Sequence, residues 1–334
     1  MSGAVAVVTG GAGFIGSHLV DHLVEAGFKV RVIDDLSGGH VGNLQHHLGS
    51  SSVELVEADV CGIAQDDPAF DRADLVFHLA GIGDIVPSIE QPAEYLDTNV
   101  QGTVRVLEAS RFAGVKKFVY AASSSCYGMD PPRPTPEDAP LDPQYPYALS
   151  KLLGEQAALH WHQVYGLPVN VVRIFNAFGP RSRTTGAYGA VFGVFLAQKL
   201  AGKPLTVVGD GTQTRDFIFV TDVANAFFQA SQTSASGRVF NLGAGSPQSV
   251  NRLVELLGGE VTYIPRRPGE PECTWADIKR IKNELDWRPE VSFEAGVEQM
   301  LACIDNWNDA PVWNPESIAD ATRGWFSALS EDRQ

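Results

Sequence analysis

Residues 4–16 read Ala4-Val5-Ala6-Val7-Val8-Thr9-Gly10-Gly11-Ala12-Gly13-Phe14-Ile15-Gly16, and this stretch decides the fold. Ala4 to Val8 is an unbroken apolar run bounded by glycines. A strand without polar alternation is buried on both faces, as in a parallel sheet covered by helices. Gly10, Gly13 and Gly16 follow it in the pattern GxxGxxG. Phe14, Ile15, Leu19, Leu23 and Val24 then form a helical stripe that ends at Gly27. Glycines at a strand–helix junction allow a tight turn and bring backbone N–H groups close to a pyrophosphate, with the positive end of the helix dipole behind them. A tight turn with no ligand is the plainer alternative.

Outward from this unit the same alternation repeats. Val30–Ile33, Val53–Val56, Leu75–Leu79, Phe118–Ala121 and Val169–Ile174 read as strands, and Tyr95–Phe112 and Tyr147–Tyr165 as helices. Alternating β and α units predict a Rossmann-type doubly wound parallel α/β sheet. Beyond about residue 175 the punctuation changes to Gly179-Pro180, Lys203-Pro204, Ser246-Pro247 and the Arg266–Pro271 stretch. That predicts a smaller mixed α/β C-terminal substrate domain. A strand at Phe217–Val220 and a helix at Asp222–Ser231 are expected to return to the main sheet. The expected division is therefore 1–175 with 215–243 for the dinucleotide domain, and 176–214 with 244–330 for the substrate domain.

Asp34 lies 18 residues past Gly16, at the end of the second strand. An acid there accepts ribose hydroxyls and repels a 2′-phosphate, and Asp34-Asp35-Leu36-Ser37 contains no arginine, so NAD is favoured over NADP. Asp59-Val60 follows the third strand, where it suits either the adenine edge or a helix cap.

The balance of 25 Lys+Arg against 40 Asp+Glu gives a net charge of -15, which argues against nucleic-acid and anionic-membrane partners. At 44% hydrophobic and 19% charged residues the chain is globular, not disordered. No apolar run reaches the ~18 residues of a membrane span, and no secretory leader is expected. Cys61, Cys126, Cys273 and Cys303 are widely spaced, as expected for reduced thiols in the cytoplasm. No metal site is expected: His160 and His162 point apart on their helix, and His46-His47 falls in a polar loop.

Tyr147 and Lys151 form YxxxK and share one helix face. A phenol titrates near ~10 and is a poor base at neutral pH unless positive charge favours its phenolate. An ammonium at Lys151 together with a nicotinamide ring would do this, leaving Tyr147 as the acid/base on a substrate hydroxyl. Ser123-Ser124-Ser125 end the fifth strand, where a hydroxyl points into the ligand crevice of such a sheet.

With TGGAGFIGSHL (9–19), DDLSGG (34–39), HLAG (78–81), NVQGT (99–103), SSSCYG (123–128), YALSK (147–151), RIFNAFGPR (173–181), RDFIFVTDV (215–223), NLGAG (241–245), RRPGEPECTWAD (266–277) and ELDWRPEVSFEAGV (284–297) in order, the chain resembles the extended short-chain dehydrogenase/reductases. Within these it is most similar to the NAD-dependent nucleotide-sugar epimerases and dehydratases, and in pattern to UDP-hexose 4-epimerases. The resemblance implies an NAD cofactor held by Gly10, Gly13, Phe14, Ile15, Gly16, Asp34, Asp35, Asp59, Val60, Leu79, Ala80, Asn99, Tyr147, Lys151 and Phe175. It implies catalysis by Tyr147, Lys151 and Ser123. Substrate contacts would come from Ser124, Ser125, Asn176, Arg215, Arg267, Glu270 and Thr274, the arginines gripping a nucleotide diphosphate. It also implies a homodimer paired through the helices that carry Asn99 and Tyr147.

Ser124 and Ser125 stand where dehydratases of the family carry Asp-Glu and decarboxylases a Glu. The expected reaction is therefore inversion at C4 of a nucleotide sugar, expected to be UDP-linked, through a 4-keto intermediate. A decarboxylase, dehydratase or 4-keto reductase on the same fold is the alternative, and an NAD-sensing regulatory protein the non-enzymatic one. Three departures stand out. Gly83 replaces a frequent Lys, Cys126 replaces a usual Val, and Thr184–Phe195 matches poorly. Thr274 is expected to leave room at the sugar's C2, with hexose, N-acetylhexosamine and uronate all open.

Overall fold

A computed structural model describes residues 3–184, 190–266 and 268–329. The first half runs β1 (Val5–Thr9), α1 (Phe14–Glu25), β2 (Lys29–Asp34), β3 (Val53–Glu57), β4 (Leu75–His78), α2 (Ile85–Glu90), α3 (Pro92–Leu96), α4 (Thr103–Ala113), β5 (Lys117–Ser123), α5 (Pro146–Tyr165) and β6 (Val169–Ile174). The second half continues with β7 (Asn176–Phe178), α6 (Val191–Leu200), β8 (Leu205–Val208), β9 (Thr214–Arg215), β10 (Phe217–Phe219), α7 (Val220–Gln232) and β11 (Arg238–Leu242). It ends with β12 (Gln248–Ser249), α8 (Val250–Leu257), β13 (Val261–Ile264), α9 (Lys279–Leu285), α10 (Phe293–Ala302) and α11 (Pro315–Leu329).

Seven parallel strands in the order β11-β6-β5-β4-β1-β2-β3 make the central sheet. The apolar run of β1 shows why no polar alternation was needed. Ala6 and Val8 join one core with Leu19, Leu23 and the α7 residues Val223 and Phe227. Val7, between them, joins the opposite core with Val106 and Leu107 of α4 and Ala158 of α5. The strand order reverses between β1 and β4, and their carboxyl ends open the crevice where ligands of such sheets bind.

Two expectations are corrected. The strand at 217–220 does not enter the central sheet. As β10 it pairs in parallel with β7 in a separate two-stranded sheet. Its side chains explain this: Phe217 and Phe219 face a second core with Phe178, Phe192 and Phe293, while Ile218 faces the first. The place beside β6 is taken by β11, whose Phe240 and Leu242 are fully buried. The helix expected over 95–112 is also interrupted. A wide π-type turn over Asp97–Gly102 separates α3 from α4, and such turns often mark functional sites.

Candidate active site

The loop from β1 to α1 is shaped for close approach. Gly10 has φ +70, and a Cβ there would stand 2.6 Å from the Ala80 nitrogen. A Cβ on Gly16 would stand 2.1 Å from the Gly10 carbonyl oxygen. Both positions therefore exclude a side chain. Gly13 caps α1 with no side-chain hydrogen bond, and the first turn, with Phe14 and Ile15, carries no acid. The N–H groups of that turn are left for an anion, so the residues fit a dinucleotide pyrophosphate.

Asp34 ends β2 beside this loop. Its Oδ2 accepts the Ala12 N–H at 2.9 Å and its Oδ1 the Leu36 N–H at 2.9 Å. Burial raises its carboxyl above the ordinary value, and the two N–H donors oppose that rise. Each oxygen keeps a further lone pair for a ribose hydroxyl. Asp35 turns away and holds Ser37 through its N–H at 3.0 Å and its hydroxyl at 2.7 Å. Asp59 caps the next short turn by accepting the Cys61 N–H at 2.8 Å, and Val60 is buried behind it. Leu79 and Ala80 follow β4 and pass directly under Gly10.

Asn99, expected at the cofactor, is held by three internal hydrogen bonds. Its Oδ1 accepts the Ile82 N–H at 2.8 Å, and its Nδ2 donates to the Ile82 carbonyl at 3.0 Å and to Ser150 Oγ at 2.9 Å. Both amide hydrogens are then used, so the side chain braces the loop after β4 against α5 and has no donor left for a ligand. His78, the last residue of β4, is also a brace. It lies between Thr9 Oγ1 at 2.7 Å and Thr103 Oγ1 at 2.9 Å, and burial holds its imidazole neutral at about 3.

Tyr147 and Lys151 project from the first two turns of α5. Pro146 starts that helix where a missing N–H costs nothing. Burial raises the Tyr147 phenol, a hydrogen bond with Ser123 lowers it, and Asp84 and Cys126 raise it further. The lowering expected from Lys151 is not among these influences. The Lys151 ammonium instead sits 4.7 Å over the Tyr120 ring, lowered by burial to about 8 against the pull of Glu155. Ser123 Oγ lies 2.8 Å from Ser125 Oγ and accepts the Ser125 N–H at 3.2 Å. Ser124 opens the short turn Ser124–Tyr127 that follows.

The far wall of the crevice comes from late in the chain. Phe175 donates its N–H to the Leu242 carbonyl at 2.9 Å and sits beside the Tyr127 ring. Asn176 Oδ1 accepts the Thr274 hydroxyl at 2.7 Å, and that hydroxyl accepts the Asp216 N–H at 3.0 Å. Thr274, expected to leave room at the sugar's C2, has its hydroxyl tied into this wall. Arg215 and Glu270 face each other at 4.0 Å. Arg267 lies outside the described residues.

A family model matches residues 6–243, and its description is NAD dependent epimerase/dehydratase family. The chain belongs to this family. A UDP-glucose 4-epimerase of Mycolicibacterium smegmatis is 36% identical over 90% of this chain and 98% of its own. The crystal structure of a UDP-glucose 4-epimerase from Thermotoga maritima with UDP-glucose superposes with a TM-score of 0.84, at 34% identity, over 90% of this chain and 99% of that one. A UDP-glucuronic acid 4-epimerase from Bacillus cereus, solved with UDP-glucuronic acid and NAD, also gives 0.84, at 31% identity, over 90% and 99%.

This member of the NAD dependent epimerase/dehydratase family carries site groups that sequence reasoning missed. Asp84, at the start of α2, acts on the Tyr147 phenol and pairs with Arg183 at 2.9 Å. The Tyr145 ring stacks parallel to Tyr147 with centroids 6.3 Å apart, and its phenol meets Ser125. Tyr145 stands two residues before Tyr147, but nothing in Gln-Tyr-Pro-Tyr marks it as a site residue. Asp84 could be found only once the loop after β4 was folded over α5.

Proposed function

We propose that this chain is an NAD-dependent epimerase that inverts C4 of a UDP-linked sugar through a transient 4-keto sugar. Bound NAD would supply the reversible hydride chemistry at C4 on which oxidation and re-reduction depend. The glycine loop and the first turn of α1 would hold its pyrophosphate, Asp34 its adenosine ribose, and Lys151 its nicotinamide ribose. Tyr147 takes the C4 hydroxyl proton and gives it back, and Ser123 orients that hydroxyl while favouring the phenolate. Asn176, Arg215, Arg267 and Glu270 would bind the nucleotide diphosphate, with the arginines offsetting its charge in an acidic protein.

The observation that carries the reading is the group beside Ser123. Ser125 offers a hydroxyl at 2.8 Å, not a carboxylate. One acid/base group suffices for oxidation and re-reduction at a single carbon. Elimination of water needs a second, which a serine does not supply near neutral pH. Asp84 near Tyr147 is paired with Arg183 at 2.9 Å, so its charge does not select against a carboxylate at C6, and hexose, N-acetylhexosamine and uronate are all carried into the test.

No helix among the described residues is long and apolar enough to cross a membrane. The free cysteines support a reducing compartment such as the cytoplasm. Phe112 of α4 and Leu149 of α5, 61% and 41% exposed, support a homodimer through those helices.

The test mixes the purified protein with UDP-glucose, UDP-N-acetylglucosamine or UDP-glucuronate and follows the sugar proton couplings by NMR. The C4 epimer of one of the three is expected, without added NADH. Release of CO2, loss of water or consumption of external NADH would overturn the proposal.

A further inference from the structure

His46 and His47 lie between β2 and β3, and Asp21 faces them from α1. Nε2 of each imidazole is 2.7 Å from Asp21 Oδ1. One ligand atom from each residue can be chosen so that all three lie within 4.8 Å of one another. The second carboxylate oxygen, Oδ2, is 2.8 Å from the Arg181 guanidinium. From this convergence we propose a binding site for a divalent transition-metal ion of the zinc class, with Asp21, His46 and His47 as its protein ligands.

The donor set is the first argument. Two imidazole nitrogens and one carboxylate oxygen suit zinc and its neighbours in the first transition row, and leave coordination positions for water. The spacing is the second. Atoms bound to such an ion at about 2.0–2.2 Å stand roughly 3.0–3.5 Å apart, so each imidazole must draw back from the Asp21 oxygen, now 2.7 Å away, by a few tenths of an ångström or somewhat more, within a cluster whose ligand atoms already lie within 4.8 Å of one another. The His46 side chain is 49% exposed and free to make that adjustment, while His47 is 13% exposed and already fixed.

Preorganisation is the third argument. Leu44 is fully buried in the first core and anchors the segment two residues before His46. Further back, the His40 N–H and the Asn43 amide both donate to the Ala12 carbonyl, at 3.0 and 2.9 Å. The imidazoles are crowded, with ring centroids 4.0 Å apart, and both direct a nitrogen at one oxygen. Arg181 orients the carboxylate from behind, as a hydrogen-bonded partner of a metal ligand does. The same guanidinium weakens the carboxylate as a donor, which places the affinity in the micromolar range and not among tight structural zinc centres.

Asp21 lies eight residues beyond Gly13, about 12 Å along α1. The ion would not touch the reacting sugar. It would fasten the segment after Asp34 to the helix whose other end receives the pyrophosphate. The sequence hides this site because His46-His47 has no third ligand nearby; Asp21 reaches it only through the pairing of β1 with β2.

Calorimetric titration of the tag-free chain with zinc chloride tests the site, alongside a His46→Gln/His47→Gln double variant that keeps the Asp21–Arg181 pair. The parent should bind one zinc per chain with a Kd on the order of 1–10 µM, and the variant at least about tenfold more weakly. Zinc should raise the melting temperature of the parent only. Equal binding by the two proteins, or no binding by the parent in this range, would overturn the proposal. If the double variant does not fold, the single His46→Gln variant, altered at the more exposed residue, decides by the same comparison.

Discussion

Glu155 and Arg173 form a two-bonded ion pair sealed from solvent, one helical turn beyond Lys151. Glu155 Oε2 accepts Arg173 Nε at 2.9 Å and Oε1 accepts Nη2 at 2.5 Å, and both side chains are at most 4% exposed. Arg173 also donates to the Tyr127 hydroxyl at 2.7 Å and the Glu137 carbonyl at 2.9 Å. This pair joins α5, which carries Tyr147, to β6, which leads to Phe175 and Asn176.

Breaking the pair strands a buried guanidinium. Glu155→Ala should lower stability by about 3–5 kcal/mol in urea unfolding. Replacing both residues, Glu155→Leu with Arg173→Met, should cost less than Glu155→Ala alone, because no unpaired charge remains. A double variant less stable than the single one would show that the charge itself is not what the single variant leaves exposed.

Lys151 makes stability depend on pH. Its folded-state pKa, about 8, lies below the ordinary ~10.4 of an unfolded lysine. Below pH 8 both states hold the proton, and folding must bury the charge. Between pH 8 and about 10.4 the folded state releases its proton first, so this group adds stability as pH rises. In the nucleotide-free chain, Lys151→Met should be more stable than the parent at pH 7, by roughly 2–3 kcal/mol, and the gap should narrow toward pH 10. Parallel denaturation curves at the two pH values check this, and a gap that does not change with pH would contradict it.

Tyr147→Phe should retain NAD and lose at least about 100-fold in turnover. Ser123→Ala removes the group that lowers the phenol. Its rate should therefore fall, and the alkaline-rising limb of its pH–rate profile should move to higher pH. A profile that drops in height without moving would assign Ser123 to orientation alone.

Asp216 is fully buried and gathers the substrate wall. Its carboxylate accepts the Ala244 N–H at 2.8 Å, the Gly245 N–H at 3.0 Å and the Ala276 N–H at 2.8 Å, while burial pushes it up to about 6. Asp216→Asn would turn an amide N–H toward these donors and should cost about 2–4 kcal/mol. Because the Asp216 backbone holds both Thr274, through its N–H at 3.0 Å, and Asn176, through its carbonyl at 3.1 Å, KM for the sugar nucleotide should rise more than kcat falls. Steady-state kinetics at matched folded fraction separates the two.

The parts of the site that sit on local signals were readable in the sequence. Gly10, Gly13 and Gly16 announce a strand–helix turn, and Tyr147 with Lys151 needs only a helix to share a face. Groups whose role depends on pairing across the chain were not readable. Nothing in NVQGT reveals that Ile82 and Ser150 take the amide of Asn99. The Phe217–Phe219 strand looked like a member of the large sheet because three apolar residues do not say that alternate ones serve two different cores.

The position of β11 bears on how the protein is made. Its hydrogen-bonding edge partner, β6, is synthesised about seventy residues earlier and has nothing to pair with on that side until Leu242 emerges. Folding during translation cannot complete the central sheet until then, so the nascent chain carries an open edge while the residues between Ile174 and Arg238 are added. A fragment stopped near residue 230 should be a client for chaperones, however complete its glycine loop and its phenol appear.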